Sequence, residues 1–237
     1  MGLKVHPDIQ SLSPYVPGKP IDELQRELGL TRVVKLASNE NPIGPSPKAV
    51  AALNGTQEML HRYPDGGAYQ LRQALADRWK VTREHIILGN GSDEIIGLLA
   101  RTFLAPGDEA VMADHTFVIY KMEVTAAHGR PVIVPLVNWT HDLESMGKAV
   151  TPRTRLLFLC NPNNPTGTMV SAEAVDRFIH RAACVGGQGK GAVRQQVHEG
   201  AGRADQHRAG GEAAVGQQGF DGKGEEAAVH IDRPLCV

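Results

Sequence analysis

Between Ile86 and His180 short apolar runs alternate with stretches in which apolar residues recur every three or four positions. Ile86–Leu88, Ala110–Met112, Val132–Val134 and Leu156–Cys160 are runs of consecutive apolar residues. Such runs predict strands buried on both faces. The stretches between them predict helices over Asp93–Phe103, Phe117 to about Ala127 and Leu143–Val150, and Ser171 caps a further helix running to about His180. Strands alternating with helices of this length imply βαβ crossovers. The fold class is therefore α/β, a three-layer αβα sandwich around a mostly parallel sheet.

Upstream the pattern is looser. Leu71, Leu75 and Trp79 form one apolar stripe of a helix. Ile21, Leu24 and Leu28 form another, which Gly29 stops. Ser46-Pro47 reads as N-cap and first helical position of a helix to about Leu53. Val33–Ala37 reads as a brief strand. Pro7, Pro14, Pro17 and Pro20 predict a non-helical arm over residues 1–20. The organisation is an arm with a short helix (1–30), a partial α/β domain (31–180) and a tail (181–237).

The tail is a break in character. Residues 181–237 hold 12 of the 26 glycines and contain no Ser, Thr, Asn, Tyr, Trp or Met. Their few apolar residues follow neither a strand nor a helix period, and so few cannot build a core. Two explanations fit: a disordered tail, or sequence never selected to fold, as a shifted reading frame produces. The abrupt onset inside a βαβ series favours the second.

Charge and composition narrow the chemistry. A net charge of −1 and a pI near 6.8 leave no electrostatic footprint for nucleic acid or an anionic membrane. No apolar run approaches a membrane span. The N-terminus has no h-region, so no signal peptide is expected. Cys160, Cys184 and Cys236 form no framework, which suits a reducing, cytoplasmic compartment. The ten histidines lack metal-ligand spacing, so no metal is expected.

Two stretches carry candidate chemistry. Asn161-Pro162-Asn163-Asn164-Pro165-Thr166-Gly167 follows the last apolar run and consists almost wholly of turn-formers. A stiff polar turn at the carboxyl end of a parallel strand is where open α/β sheets place ligands. Gly89-Asn90-Gly91-Ser92-Asp93-Glu94 follows the Ile86–Leu88 run and opens a helix. It reads either as an anion cradle at a helix N-terminus or as an ordinary helix start capped by Ser92. Neither the dinucleotide nor the P-loop signature is met.

Together with Ser13–Pro20, Leu36–Pro42, Arg62–Gly66 and His115-Thr116-Phe117, these stretches resemble fold-type I pyridoxal-phosphate aminotransferases. The resemblance runs from about Leu12 to His180 and covers the N-terminal half of such an enzyme, an incomplete large domain. It implies pyridoxal 5′-phosphate as cofactor, a homodimer, and transamination of L-histidinol phosphate with 2-oxoglutarate. A related aromatic amino-acid aminotransferase, or a non-catalytic remnant, is the alternative. By resemblance, backbone amides at Gly91, Ser92 and Asp93 hold the cofactor phosphate and Phe117 stacks on the pyridine ring. Asn164 donates to the ring's O3′, and Tyr63 reaches the phosphate bound by the partner subunit. Tyr15 and Asn39 face the substrate. His115 departs from the family's usual Pro. The family's Schiff-base lysine, the acid facing the pyridine nitrogen and the carboxylate-binding arginine follow the asparagine loop in an Asp-Glu-Ala-Tyr strand, a Ser-Lys segment and a small domain. None has a counterpart here, so the expectation is that the chain as it stands lacks a catalytic lysine and is inactive.

Overall fold

The computed structural model describes residues 4–185 and two short strands at 195–197 and 226–231. The chain forms two compact units. Among the described residues, the larger takes in those up to Leu12, 64–185, 195–197 and 226–231. The smaller includes Ser13–Tyr63.

In the larger unit, β2 (Glu109–Ala113) is the central strand of a parallel sheet. β3 (Arg130–Val134) and β4 (Thr154–Leu157) flank it. All five residues of β2 are buried, as the apolar run Ala110–Ala113 requires. Its side chains alternate between two cores. Ala110 and Met112 pack with Ile96 and Ala100 of α5 (Gly91–Phe103) and with Ile119 and Val124 of α6 (Val118–Ala126). Val111 faces the other way, onto Met146 of α7 (Leu143–Lys148) and Phe178 of α8 (Ala172–Val185). Two helices on each face of the sheet make the expected three layers. Full burial of each large aliphatic side chain contributes about 1.5–3 kcal/mol, so both faces of β2 are strongly specified.

A third cluster joins Leu75 and Ala76 of α4 (Tyr69–Trp79) to Ile86 of β1 (Ile86–Asn90). β1 lies in a second sheet. It pairs antiparallel with β6 (Glu226–Ile231), which pairs antiparallel with β5 (Gln195–Val197). Apart from the end of α8 and these two strands, the reading of 181–237 as unfolded or frame-shifted lies outside the described residues. No helix among them is long and apolar enough to cross a membrane.

Glu109 is buried to 2% exposure at the start of β2. Thr151 donates to it at 2.5 Å and Arg153 at 2.8 Å. The Thr151 hydroxyl and then Arg153 hold its carboxyl below the usual range against the pull of burial.

The smaller unit holds α2 (Ile21–Leu28) and α3 (Pro47–Asn54), with Pro47 at the first turn. Gly29 ends α2 in the left-handed conformation, φ 64°. Val33–Ala37 is not a strand: it finds no ladder partner among the described residues, and a single extended segment leaves its backbone groups unpaired. The arm differs in one respect as well. Pro7 starts a four-residue helix, α1 (Pro7–Gln10), because proline at the first helical position lacks only an N–H that would have no intrahelical partner.

Candidate active site

Three strand ends supply the site predicted from the larger unit. At the first, β1 runs into α5 through Gly91, whose φ of 71° suits glycine. Gly89 keeps the strand end close to α5: a Cβ there meets Ile95 Cδ1 at 2.9 Å, so the isoleucine would have to shift. Asn90 is the N-cap and makes no side-chain cap bond, while its own N–H donates to Glu94 Oε2 at 2.6 Å. Ser92 therefore sits inside the first turn rather than at the cap. Gly91, Ser92 and Asp93 form that turn, at the positive end of a 13-residue helix.

At the second, β2 leads through Asp114, His115 and Thr116 to Phe117, the N-cap residue of α6. Asp114 Oδ1 accepts from the backbone N–H of His115 (2.7 Å) and of Leu136 (3.0 Å). Burial pushes this carboxyl up, and the bonds from His115 and Leu136 outweigh it, leaving the carboxyl lowered. Phe117 is half-buried and meets Tyr120 edge to face at 5.7 Å; Tyr120 in turn stacks on Phe158 at 4.6 Å.

At the third, β4 continues through Cys160 into the asparagine loop. Both Asn161-Pro162 and Asn164-Pro165 are cis. Asn161 closes the loop by pairing with both backbone groups of Val170 at 2.9 Å. Asn163 is 2% exposed and is the hub. Its Oδ1 accepts from Thr116 Oγ1 at 2.8 Å, and its Nδ2 donates to the His115 carbonyl and to Thr166 Oγ1, both at 2.9 Å. Its backbone N–H donates to Thr168 O at 2.8 Å, and its carbonyl accepts from Gly167 N–H at 2.7 Å. Asn163 thus bolts the loop after β4 to the loop after β2.

The consequence is positional. Asn164 and Phe117 follow the carboxyl ends of two neighbouring parallel strands, joined through one buried amide. Asn164 is half-buried, and its N–H donates to Cys160 Sγ at 3.3 Å. Its side-chain amide has no hydrogen-bond partner among the described residues. Behind the loop, buried His141 donates from Nε2 to the Cys160 carbonyl at 2.9 Å, and its Nδ1 has no partner among the described residues. Burial pushes the His141 imidazole below the usual range; the bond to Cys160 opposes this. Neither Asn163 nor His141 was singled out by the sequence. Asn163 lies inside the same motif, so its position was signalled and its role was not.

Tyr15, Asn39 and Tyr63 lie in the smaller unit. Both tyrosines are exposed, and Asn39 occupies a positive-φ turn with Ser38. A groove of about 360 Å³ lined by Asp65, Tyr69, Arg72 and Arg83 contains none of the predicted residues. Its polar groups are engaged locally: Asp65 accepts from Gly67 and Tyr69, and Arg72 donates to the Arg83 carbonyl.

Comparison with known proteins bears on this geometry. The family model "Aminotransferase class I and II" matches residues 31–184. The chain is 55% identical over 171 residues to a histidinol-phosphate aminotransferase of Moorella thermoacetica, covering 72% of this chain and 44% of that protein. It is 51% identical over 175 residues to histidinol-phosphate aminotransferase 2 of Pseudomonas fluorescens, covering 73% and 47%. Among solved structures it is similar to histidinol-phosphate aminotransferase from Sinorhizobium meliloti in complex with pyridoxal-5′-phosphate. There the TM-score is 0.67 and the identity 28%, covering 76% of this chain and 48% of that one. The chain spans less than half the length of the curated relatives it matches.

Proposed function

Because the chain belongs to the class I and II aminotransferase family, we propose that it is the cofactor-holding half of a pyridoxal-phosphate-dependent transaminase. We infer L-histidinol phosphate as amino donor and 2-oxoglutarate as acceptor. The observation that carries the reading is the Asn163 bolt, which sets Asn164 and Phe117 at adjacent strand ends. The names of the relatives at 55% and 51% identity favour histidinol phosphate over an aromatic amino acid.

The residues present fit the cofactor's chemistry. The amides of Gly91, Ser92 and Asp93 open a helix whose N-cap side chain makes no cap bond, which suits a phosphate. Phe117 offers an aromatic face to a heteroaromatic ring. The side-chain amide of Asn164 is a donor suited to a phenolate oxygen. When bound, pyridoxal phosphate supplies the electron sink for amino-group transfer. This chain's part is to hold the phosphate, orient the ring and keep a donor on its oxygen. Asn163 and His141 keep the asparagine loop in register with the loop after β2, so that the contacts from Phe117 and Asn164 share one frame.

Moving the proton at the substrate's α-carbon needs the lysine that the family supplies after the asparagine loop. Lys190, in Gly189-Lys190-Gly191, lacks the Ser of that segment in the sequence. The chain as it stands is proposed to be inactive. Tyr15 and Asn39 serve the substrate, and Tyr63 reaches the phosphate held by a second copy. The exposure of Val34, Leu36, Ile43, Leu60 and Tyr63 in the smaller unit supports such a homodimer.

The test begins at the coding DNA around Arg181. The expected finding is a second frame that continues with Asp-Glu-Ala-Tyr and then Ser-Lys. The protein restored to that frame should form glutamate from histidinol phosphate and 2-oxoglutarate. Its kcat/KM should exceed that for tyrosine by about 10⁴-fold, the scale reached when a site's polar groups lose their partner. Preference for the aromatic amino acid would replace the substrate reading.

A further inference from the structure

We propose that His6, Asp8 and His128 bind a divalent transition-metal ion that clips the N-terminal segment to the end of α6. Spacing could not reveal this site, because His6 and His128 lie 122 positions apart in the chain. His128 Nδ1 lies 2.9 Å from Asp8 Oδ2, and His6 Nδ1 lies 3.4 Å from the same oxygen. The two imidazole rings are 4.0 Å apart, tilted by 55°. One ligand atom from each residue lies within 4.8 Å of the other two. Metal–ligand bonds of about 2.0–2.2 Å in a tetrahedral site put neighbouring donors about 3.4 Å apart. The cluster therefore reaches binding geometry with at most about 1.4 Å of closure between any pair.

The backbone under His128 is fixed. It follows α6 at φ 61°, its N–H bonds to Thr125 O at 3.0 Å, and Gly129 N–H bonds to Val124 O at 2.9 Å. His6 Nδ1 accepts from the Asp8 N–H at 3.3 Å, a long cap bond that metal binding exchanges for the ion, and both N-terminal ligands ride on one short turn. Two imidazoles and one carboxylate select zinc-like ions over magnesium or calcium, which prefer all-oxygen shells. His6 is exposed and the other two residues are half-buried, which leaves an open side for a water as fourth ligand. The cluster lies at the opposite end of α6 from Phe117, a nine-residue helix of about 13 Å. A metal here acts as a staple on the fold and is separate from the cofactor residues.

The experiment is calorimetric titration of the chelator-treated full chain with zinc chloride, with magnesium chloride in parallel. One zinc should bind that is weakened at least 10-fold in each of His128→Gln, Asp8→Asn and His6→Gln, the scale on which supporting residues alone affect metal sites. Magnesium should give no heat, and His61→Gln should bind zinc like the parent. Zinc should raise the Tm of the parent and leave that of Asp8→Asn unmoved. Should His128→Gln fail to fold by circular dichroism, the two N-terminal variants decide. Absence of zinc binding, or binding unchanged in the folded variants, overturns the proposal.

Discussion

Asn163 and Asn164 are chemically identical neighbours with opposite tasks. Asn163 is enclosed and bonds to His115, Thr116 and Thr166; Asn164 is half-buried and keeps its amide available. Asn163→Ala strands buried polar groups on both loops, at about 1–3 kcal/mol per group. Urea denaturation should show a loss of about 2–3 kcal/mol. Asn164→Ala should change stability by less than about 0.5 kcal/mol while weakening cofactor binding about 10-fold. Equal effects on stability would mean the two roles are not divided in this way. The motif as a whole was legible in the sequence, since its prolines and amides announce a rigid loop after a buried strand. Which asparagine turns inward was not, because that depends on the loop's closure through Asn161 and Val170 and on the facing Thr116.

At the scale of elements, the core strands and helices were readable because each apolar run has one physical solution inside a sandwich. Val33–Ala37, an apolar run broken by Lys35, makes no strand, because pairing partners are a property of the whole chain. The ends of elements carry the pH response. Glu109 anchors the start of β2, and its carboxyl is depressed in the fold. Its contribution is present above the unfolded pKa of about 4.3 and is lost as pH falls through the lower folded value. Glu109→Gln should lower stability near neutrality by about 1–3 kcal/mol and flatten the acid limb. His141 acts in a higher window. Its folded pKa is depressed by burial, so the unfolded chain binds the extra proton first. Its stabilisation is full above about pH 6.5 and falls as pH drops toward the folded value. Denaturation measured between pH 7.5 and 5.5 should show this decline, and His141→Gln, which keeps a donor for the Cys160 carbonyl, should reduce it. An unchanged slope in His141→Gln would remove His141 from that role.

For the whole molecule, β4 is an edge of the parallel sheet, with β2 on one side and no strand among the described residues on the other. An uncovered apolar edge invites pairing between chains. Together with the exposed apolar residues of the smaller unit, it predicts self-association, to be read by light scattering as species larger than a monomer. A monomeric profile with a sharp two-state melt would contradict this. We propose that this chain holds the cofactor's phosphate, ring and ring oxygen but not its covalent anchor. The direct measurement is titration of the purified chain with pyridoxal 5′-phosphate, followed by borohydride and mass spectrometry of the intact protein. The expected result is saturable binding, about 10-fold weaker in Asn164→Ala, and no stoichiometric adduct on any one lysine beyond the scattered labelling that a free aldehyde gives exposed lysines. A stoichiometric cofactor-sized adduct on a single lysine of the parent chain, or binding unaffected by Asn164→Ala, would contradict this.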